Sequence, residues 1–269
     1  MKLSISNLAW GNLPVEDVAP ALKAVGMDGV EIAPTAVWPE APDIDVDEVA
    51  QYGRRWRNHG LAISGIQSLL FGRPEFQLFD RASWPPMRDH LRAMLALAGA
   101  LQADIAVFGS PRNRVKGELD AAAADEMATE FLLTLVPTLE KNAVTLTLEP
   151  NAPAYGADYI THYADSVALA DLVGSPWVRP QIDTGCLAMV GEDPAADAEI
   201  RLPAHVHASA PQLVLPPAGL DHALLAGTLA AAGYLGWVVL EMLPTEPDHM
   251  ASAVTAAQWL FATYGQVQR

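Results

Sequence analysis

Four side chains able to ligate a metal each close a short β-type run in the second half of the chain: Glu149 in TLTLEP, Asp183 in VRPQIDTG, His207 in AHVHAS and Glu241 in WVVLEM. They stand 34, 24 and 34 residues apart, roughly one strand-helix unit each, so four consecutive βα units would bring their ends to one rim. Three carboxylates and one imidazole, without a thiolate, suit one divalent ion of hard to intermediate character. Mn²⁺ is expected, with Mg²⁺, Co²⁺ and Zn²⁺ as alternatives, and positions stay open for water or substrate oxygens. Side-chain alternation puts Thr145, Thr147 and Glu149 on one side of their run, and likewise Arg179, Gln181 and Asp183, and His205 and His207. Such polar groups inside a fold require partners. A hydrogen-bond network would supply them without metal, but four ligand residues at the ends of neighbouring strands favour the ion.

The elements that must position these residues alternate from end to end. Strand-like LSISN, GVEIA, LAISGIQ, DIAVFG, VTLTLE, WVRPQID, AHVHA and WVVLE are followed by helical patterns over 14–25, 45–59, 83–101, 118–141, 157–173, 193–200, 219–232 and 248–264. Eight βα units in 269 residues predict an α/β fold of one domain, a closed (β/α)8 TIM barrel. An open nucleotide-binding sheet would need a glycine-rich turn after the first strand, and Asn7-Leu8-Ala9-Trp10-Gly11-Asn12 has neither GxGxxG spacing nor a Walker lysine. The loops after strands, Pro34–Asp43, Leu69–Phe79, Pro111–Gly117, Pro150–Asp158 and Ala210–Gly219, are expected to cover the catalytic face.

Composition narrows the chemistry. A formal charge of −16 opposes nucleic-acid binding, which needs a basic footprint. Cys186 is the single cysteine, which rules out an intramolecular disulfide and fits a reducing cytoplasm. The N-terminus reads as a strand rather than a secretory signal. The uncharged stretch from His222 to Leu240 is broken by Gly227, Gly233 and Gly236, so a buried helix-turn-strand is expected and no membrane span. The lysines are Lys2, Lys23, Lys116 and Lys141, and only the loop residue Lys116 lies near the end of a strand, which argues against Schiff-base chemistry.

Leu148-Glu149-Pro150, Gln181-Ile182-Asp183-Thr184-Gly185, His205-Val206-His207 and Gly233 to Glu241 together resemble the xylose isomerase-like barrel superfamily of sugar isomerases and epimerases, across essentially the whole chain. The resemblance implies Glu149, Asp183, His207 and Glu241 as metal ligands, with Glu149 and Glu241 also the acid-base pair on opposite faces of the substrate. The implied function is a metal-dependent isomerase or epimerase acting on a sugar, keto-sugar or cyclitol through a metal-stabilised enediolate. The alternative is a carbon-oxygen lyase acting on a keto-sugar, keto-glycoside or inosose, and a more distant one is a non-catalytic sugar-binding protein. Relatives often form dimers or tetramers, so a homo-oligomer is expected. Two departures stand out: Cys186 occupies a position where many relatives carry histidine, and 151–156 has no acid where ketose 3-epimerases carry one. Both count against a plain free-ketose 3-epimerase. A metal-dependent apurinic endonuclease shares the fold but needs more histidines at strand ends and a DNA substrate.

The remaining candidates concern substrate binding. Asn7 and Gln67 end their strands and could hydrogen-bond hydroxyl groups. Arg112 and Arg114, with Lys116, concentrate charge after the fourth strand and could meet an anionic group. Trp10 could stack on a sugar ring, and so could Trp38 and Trp84. His205, one layer below His207, is expected to support it. Glu31 is expected to pair with inward-facing Arg179. His59, His90, His162, His222 and His249 fall on helices or their ends, where solvated or capping roles are expected.

Overall fold

The structure is a computed structural model that describes residues 1–196, 200–216, 219–244 and 246–267. Strands β1 (Lys2–Ser6), β2 (Gly29–Ile32), β3 (Ala62–Ile66), β4 (Ile105–Phe108), β5 (Thr145–Leu148), β6 (Val178–Asp183), β7 (His205–Ala208) and β8 (Trp237–Leu240) pair in sequence order. β8 pairs with β1, and all pairings are parallel. This is the expected (β/α)8 barrel. The helices outside it are α1 (Val15–Val25), α2 (Pro34–Val37), α3 (Val46–Asn58), α4 (Trp84–Leu101), α5 (Ala121–Leu133), α6 (Val136–Asn142), α7 (Tyr163–Val173), α8 (Thr184–Val190), α9 (His222–Ala231) and α10 (His249–Tyr264). Among the described residues no helix is long and apolar enough to cross a membrane.

Aspartates start several of these helices: Asp45, Asp120, Asp221 and Asp248 each accept a hydrogen bond from a backbone N–H of the first turn. The structure departs from expectation at three helices. The run over 118–141 divides into α5 and α6, because Pro137 has no N–H to continue α5 and sits in the first turn of α6. The helix expected from 157 starts at Tyr163, where His162 and Asp165 form a reciprocal cap. The helix expected over 193–200 is instead α8, directly after β6. Only a 3-10 turn at Pro194–Ala196 falls in that range, and 197–199 lie outside the described residues.

Apolar residues fill the layer between strands and helices, where Leu22, Trp56, Leu91, Phe131 and Leu260 are fully buried. Each such aliphatic side chain contributes roughly 1.5–3 kcal/mol relative to exposure, so this outer layer carries the fold. Inside the barrel, the apolar cluster is small: Ile105, Val107, Trp237 and Val239. Trp237 Nε1 donates to Asp104 at 2.8 Å, with Lys2 Nζ 4.1 Å from its ring centre. The rest of the interior is polar toward the C-terminal ends of β5 to β8.

Candidate metal centre

Those strand ends carry the four residues. Glu149 follows β5 and Glu241 follows β8, each continuing the ladder by a backbone hydrogen bond to the preceding strand. Asp183 ends β6 and stands in register with His207 of β7. Ligand atoms of Glu149, Asp183, His207 and Glu241 all lie within 4.8 Å of one another. His207 Nδ1 is 2.8 Å from Glu149 Oε1, 3.3 Å from Glu241 Oε2 and 3.6 Å from Asp183 Oδ2.

Despite those distances, Nδ1 is aligned with none of the three as a hydrogen bond and stays an orphaned buried atom. It faces the space among the carboxylates rather than any one of them, as a metal-ligating nitrogen does. Electrostatics give the same answer. Burial pushes the Glu149 carboxyl up, His207 opposes this, and Asp183 and Glu241 add to it. Burial would also lower the His207 imidazole, but Glu31, Glu241 and the other acids overcome it and hold its proton well above the usual range. The three carboxylates therefore require positive charge at this point, either a proton on the ring or a cation in front of it. A dication fits the donor set and would give the orphaned His207 Nδ1 its partner.

The opposite edge of the His207 ring is fixed. Nε2 of His207 and Nε2 of His205 each lie 2.8 Å from a different oxygen of Glu31. Burial works against the Glu31 charge, but the two imidazoles win and hold its pKa at about 2, so it is an acceptor only. Both rings must then donate through Nε2, which points His207 Nδ1 at the carboxylates. The expected Glu31–Arg179 pair does not form. Arg179 is in register with Thr147, deeper in the barrel than Gln181, while Glu31 reaches across to β7. A Cβ on Gly65 would come within 2.8 Å of Glu31 Oε1, so this glycine in a strand interior makes room for the carboxylate.

Each acid is held from behind. Asp183 Oδ1 accepts from Cys186 N at 2.7 Å, capping α8, and from Ser209 Oγ at 3.0 Å. Glu149 accepts from Gln181 Nε2 at 2.9 Å and Asn151 Nδ2 at 3.1 Å. Glu241 Oε1 accepts from Gln67 Nε2 at 2.5 Å. A Cβ on Gly109 would land on Glu149 Oε2. Alternation already puts Gln181 on the side of Asp183, whereas Asn151, Ser209 and the two glycines are supports that no pattern in the sequence singles out. Glycine inside or just after a strand is the one available signal.

A cavity of about 550 Å³ opens over these groups, lined by Gln67, Arg73, Arg112, Glu149, His207 and Glu241 among others. A second of about 420 Å³ is lined by Asn151, Tyr155, Asp183, Cys186, Glu149 and Glu241 among others. The loops after β3, β4, β5 and β7 build their walls, whereas the Pro34–Asp43 segment lines neither. Of the expected substrate contacts, Gln67 and Arg112 face the first cavity. Arg114 does not: it is fully buried, donates through Nη2 to the Glu149 carbonyl at 2.9 Å and to Asn151 Oδ1 at 2.5 Å, and burial lowers its pKa to about 10. Asn7 spends its amide on the Ala33 backbone. Trp10 packs on Trp56 at 5.8 Å between ring centres, while Trp38 and Trp84 are buried too. His205 lies beneath the site. The Cys186 thiol is buried and its pKa pushed up, so it is a packed, unreactive group.

The family profile described as xylose isomerase-like TIM barrel matches residues 19–263. No curated protein sequence matches at a significant level. Among solved structures, a D-psicose 3-epimerase determined in the presence of D-fructose is similar at 16% identity and a TM-score of 0.79, over 98% of this chain and all of that one. An AP endonuclease of family 2 from Brucella melitensis is similar at 23% and 0.75, over 98% and 99%. The IolI protein with a bound zinc atom is similar at 17% and 0.72, over 100% and 98%. At these identities the likeness is one of fold.

Proposed function

The chain belongs to the xylose isomerase-like TIM barrel family, and from that premise we propose that it is a divalent-metal-dependent isomerase or epimerase of a sugar, keto-sugar or cyclitol. One observation carries the reading: the buried carboxylates of Glu149 and Asp183, the partly exposed one of Glu241 and the orphaned Nδ1 of His207 face one point on the floor of a cavity sized for a small carbohydrate. Glu149, Asp183, His207 and Glu241 would hold the ion, which supplies Lewis acidity toward a carbonyl and a neighbouring hydroxyl oxygen. Zinc in the similar IolI structure and D-fructose with the similar epimerase support this assignment.

Glu149 and Glu241 are the outer two of the four in strand order, and both line both cavities. One takes the proton from the carbon next to the carbonyl. The other returns a proton to the opposite face, which inverts that centre; return to the neighbouring carbon gives an aldose-ketose isomer. Gln181 and Asn151 fix the oxygens of Glu149, and Gln67 fixes one oxygen of Glu241, so each carboxylate presents a set direction to the substrate. The DNA chemistry named for the similar endonuclease is opposed by the charge of −16.

The test is solvent exchange. Mn²⁺-loaded protein incubated with keto-sugars and inososes in D₂O is expected to deuterate the carbon next to the carbonyl, and Glu149→Gln and Glu241→Gln each to abolish it. Full exchange in both variants would overturn the pairing. A dehydrated product would select the lyase.

A further inference from the structure

Resting on that reading, we infer that the substrate carries an anionic end, a carboxylate or a phosphate, received by Arg73 and Arg112 in the loop-built part of the larger cavity. Among the described residues, the only acids lining this cavity are Glu149 and Glu241, both in the metal cluster, and its only basic side chains besides His207 are these two arginines. The cavity is thus divided between a strand-end floor that takes a cation and a loop wall that presents cations.

The chain has 32 acidic residues against 16 basic ones, so an arginine side chain readily meets a carboxylate. Arg55 and Arg81 form close two-pronged pairs with Glu16 and Glu130. Arg112, by contrast, has no hydrogen bond or ion pair with any described residue. Arg73 approaches Glu75 at only 3.8 Å, with both side chains about half exposed, a weak and screened contact. Two guanidinium groups without firm partners, facing one cavity in an acidic protein, are arranged for an anion supplied from outside.

Their placement is built. Asn113 is buried and its Nδ2 donates to the carbonyls of Arg73 at 2.8 Å and Phe76 at 2.6 Å, while Leu78 N donates to the Asn113 carbonyl at 2.9 Å. The loop after β3 is therefore stitched to the residue that follows Arg112, and the two arginines stand on one joined wall. The stem of Arg112 also packs on Gly156, where a Cβ would come within 3.4 Å of its Cγ.

The test uses three ligands with one carbon skeleton: D-fructose, D-fructuronate and D-fructose 6-phosphate. Each is titrated by calorimetry into the Mn²⁺-loaded protein, an Arg112→Gln variant and an Arg73→Gln/Arg112→Gln variant, with metal content and circular dichroism matched. At least one anionic ligand is expected to bind tenfold or more tightly than D-fructose to the unaltered protein, with the gap falling below threefold in the double variant and narrowing in the single one. Preference for D-fructuronate assigns a sugar acid, and preference for D-fructose 6-phosphate a sugar phosphate. Equal or undetectable binding of all three overturns the inference. So does a gap that survives in the double variant, which would put the anion on the metal. If the double variant does not fold, the exposed Arg112→Gln change decides alone. Deuterium exchange on the same samples keeps the two proposals apart: exchange without anionic preference sinks only this inference, and anionic preference without exchange sinks the catalytic reading and leaves the anion site.

Discussion

Glu31 Oε2 lies 2.8 Å from His207 Nε2, with both side chains fully buried and on the far edge of the imidazole from the three carboxylates. The same carboxylate holds His205 through its other oxygen, so one ionised acid on β2 sets the tautomer of two histidines on β7. Replacing it with Gln leaves one oxygen acceptor for two N–H donors and sets the amide N–H against the other ring. Glu31→Gln is therefore expected to weaken metal binding by about 10–100-fold, measured by competition with a metallochromic chelator. Unchanged affinity would mean that His207 keeps its orientation without Glu31.

Metal loading is expected to depend on Asp183 and to stabilise the fold. Elemental analysis should find about one equivalent of divalent ion, lost in Asp183→Ala. At an ion concentration about 100-fold above its dissociation constant, stability should rise by about 2.7 kcal/mol, visible as a higher melting temperature that EDTA reverses. A melting curve indifferent to both ion and chelator would argue against the centre.

Gly109→Ala places a methyl group where Glu149 Oε2 now lies. The carboxylate must swing away from Asn151 and the cluster. Exchange activity is expected to fall by about 100-fold or more, in line with the cost of displacing a positioned group by about an ångström, while the circular dichroism spectrum stays that of the parent. Gly109→Ala with parent-like activity would show that Glu149 has room elsewhere.

His222, expected in a solvated or capping role, is the first residue of α9 but is only 3% exposed, with Nδ1 2.8 Å from Tyr264 Oη. Burial lowers its pKa to about 4, against the pull of Asp221. The unfolded chain protonates this ring below about pH 6.5 while the folded one keeps it neutral down to about pH 4, so the unfolded state binds the extra proton in that window. Its share of stability is present above the window and lost as pH falls through it, amounting to about 2 kcal/mol between about pH 7 and pH 5. Urea unfolding of His222→Gln should lack that part of the pH dependence. A parent-like slope would place the titration elsewhere.

The alternation and βα spacing of the sequence are enough to give the barrel and the strand ends, and through them the four side chains that converge. Two-residue periodicity states which side of a strand a residue faces, and a parallel strand's end states which rim it reaches. Capping is only partly legible. Asp183 reads as the last residue of a strand, yet it is also the N-cap of α8, and that second role starts a helix well before the one expected over 193–200. What the tertiary structure alone decided are the contacts across the barrel. Glu31 meets His205 and His207 some 175 residues away instead of Arg179, Arg114 turns inward under Glu149 while Arg112 turns to the cavity, and Trp10 joins the core. No local pattern carries those choices, because they depend on how closure and register set strands opposite one another. The irregularity of the β2–β3 pairing at Val30 and Glu31 and the space left by Gly65 both bear on where one carboxylate ends.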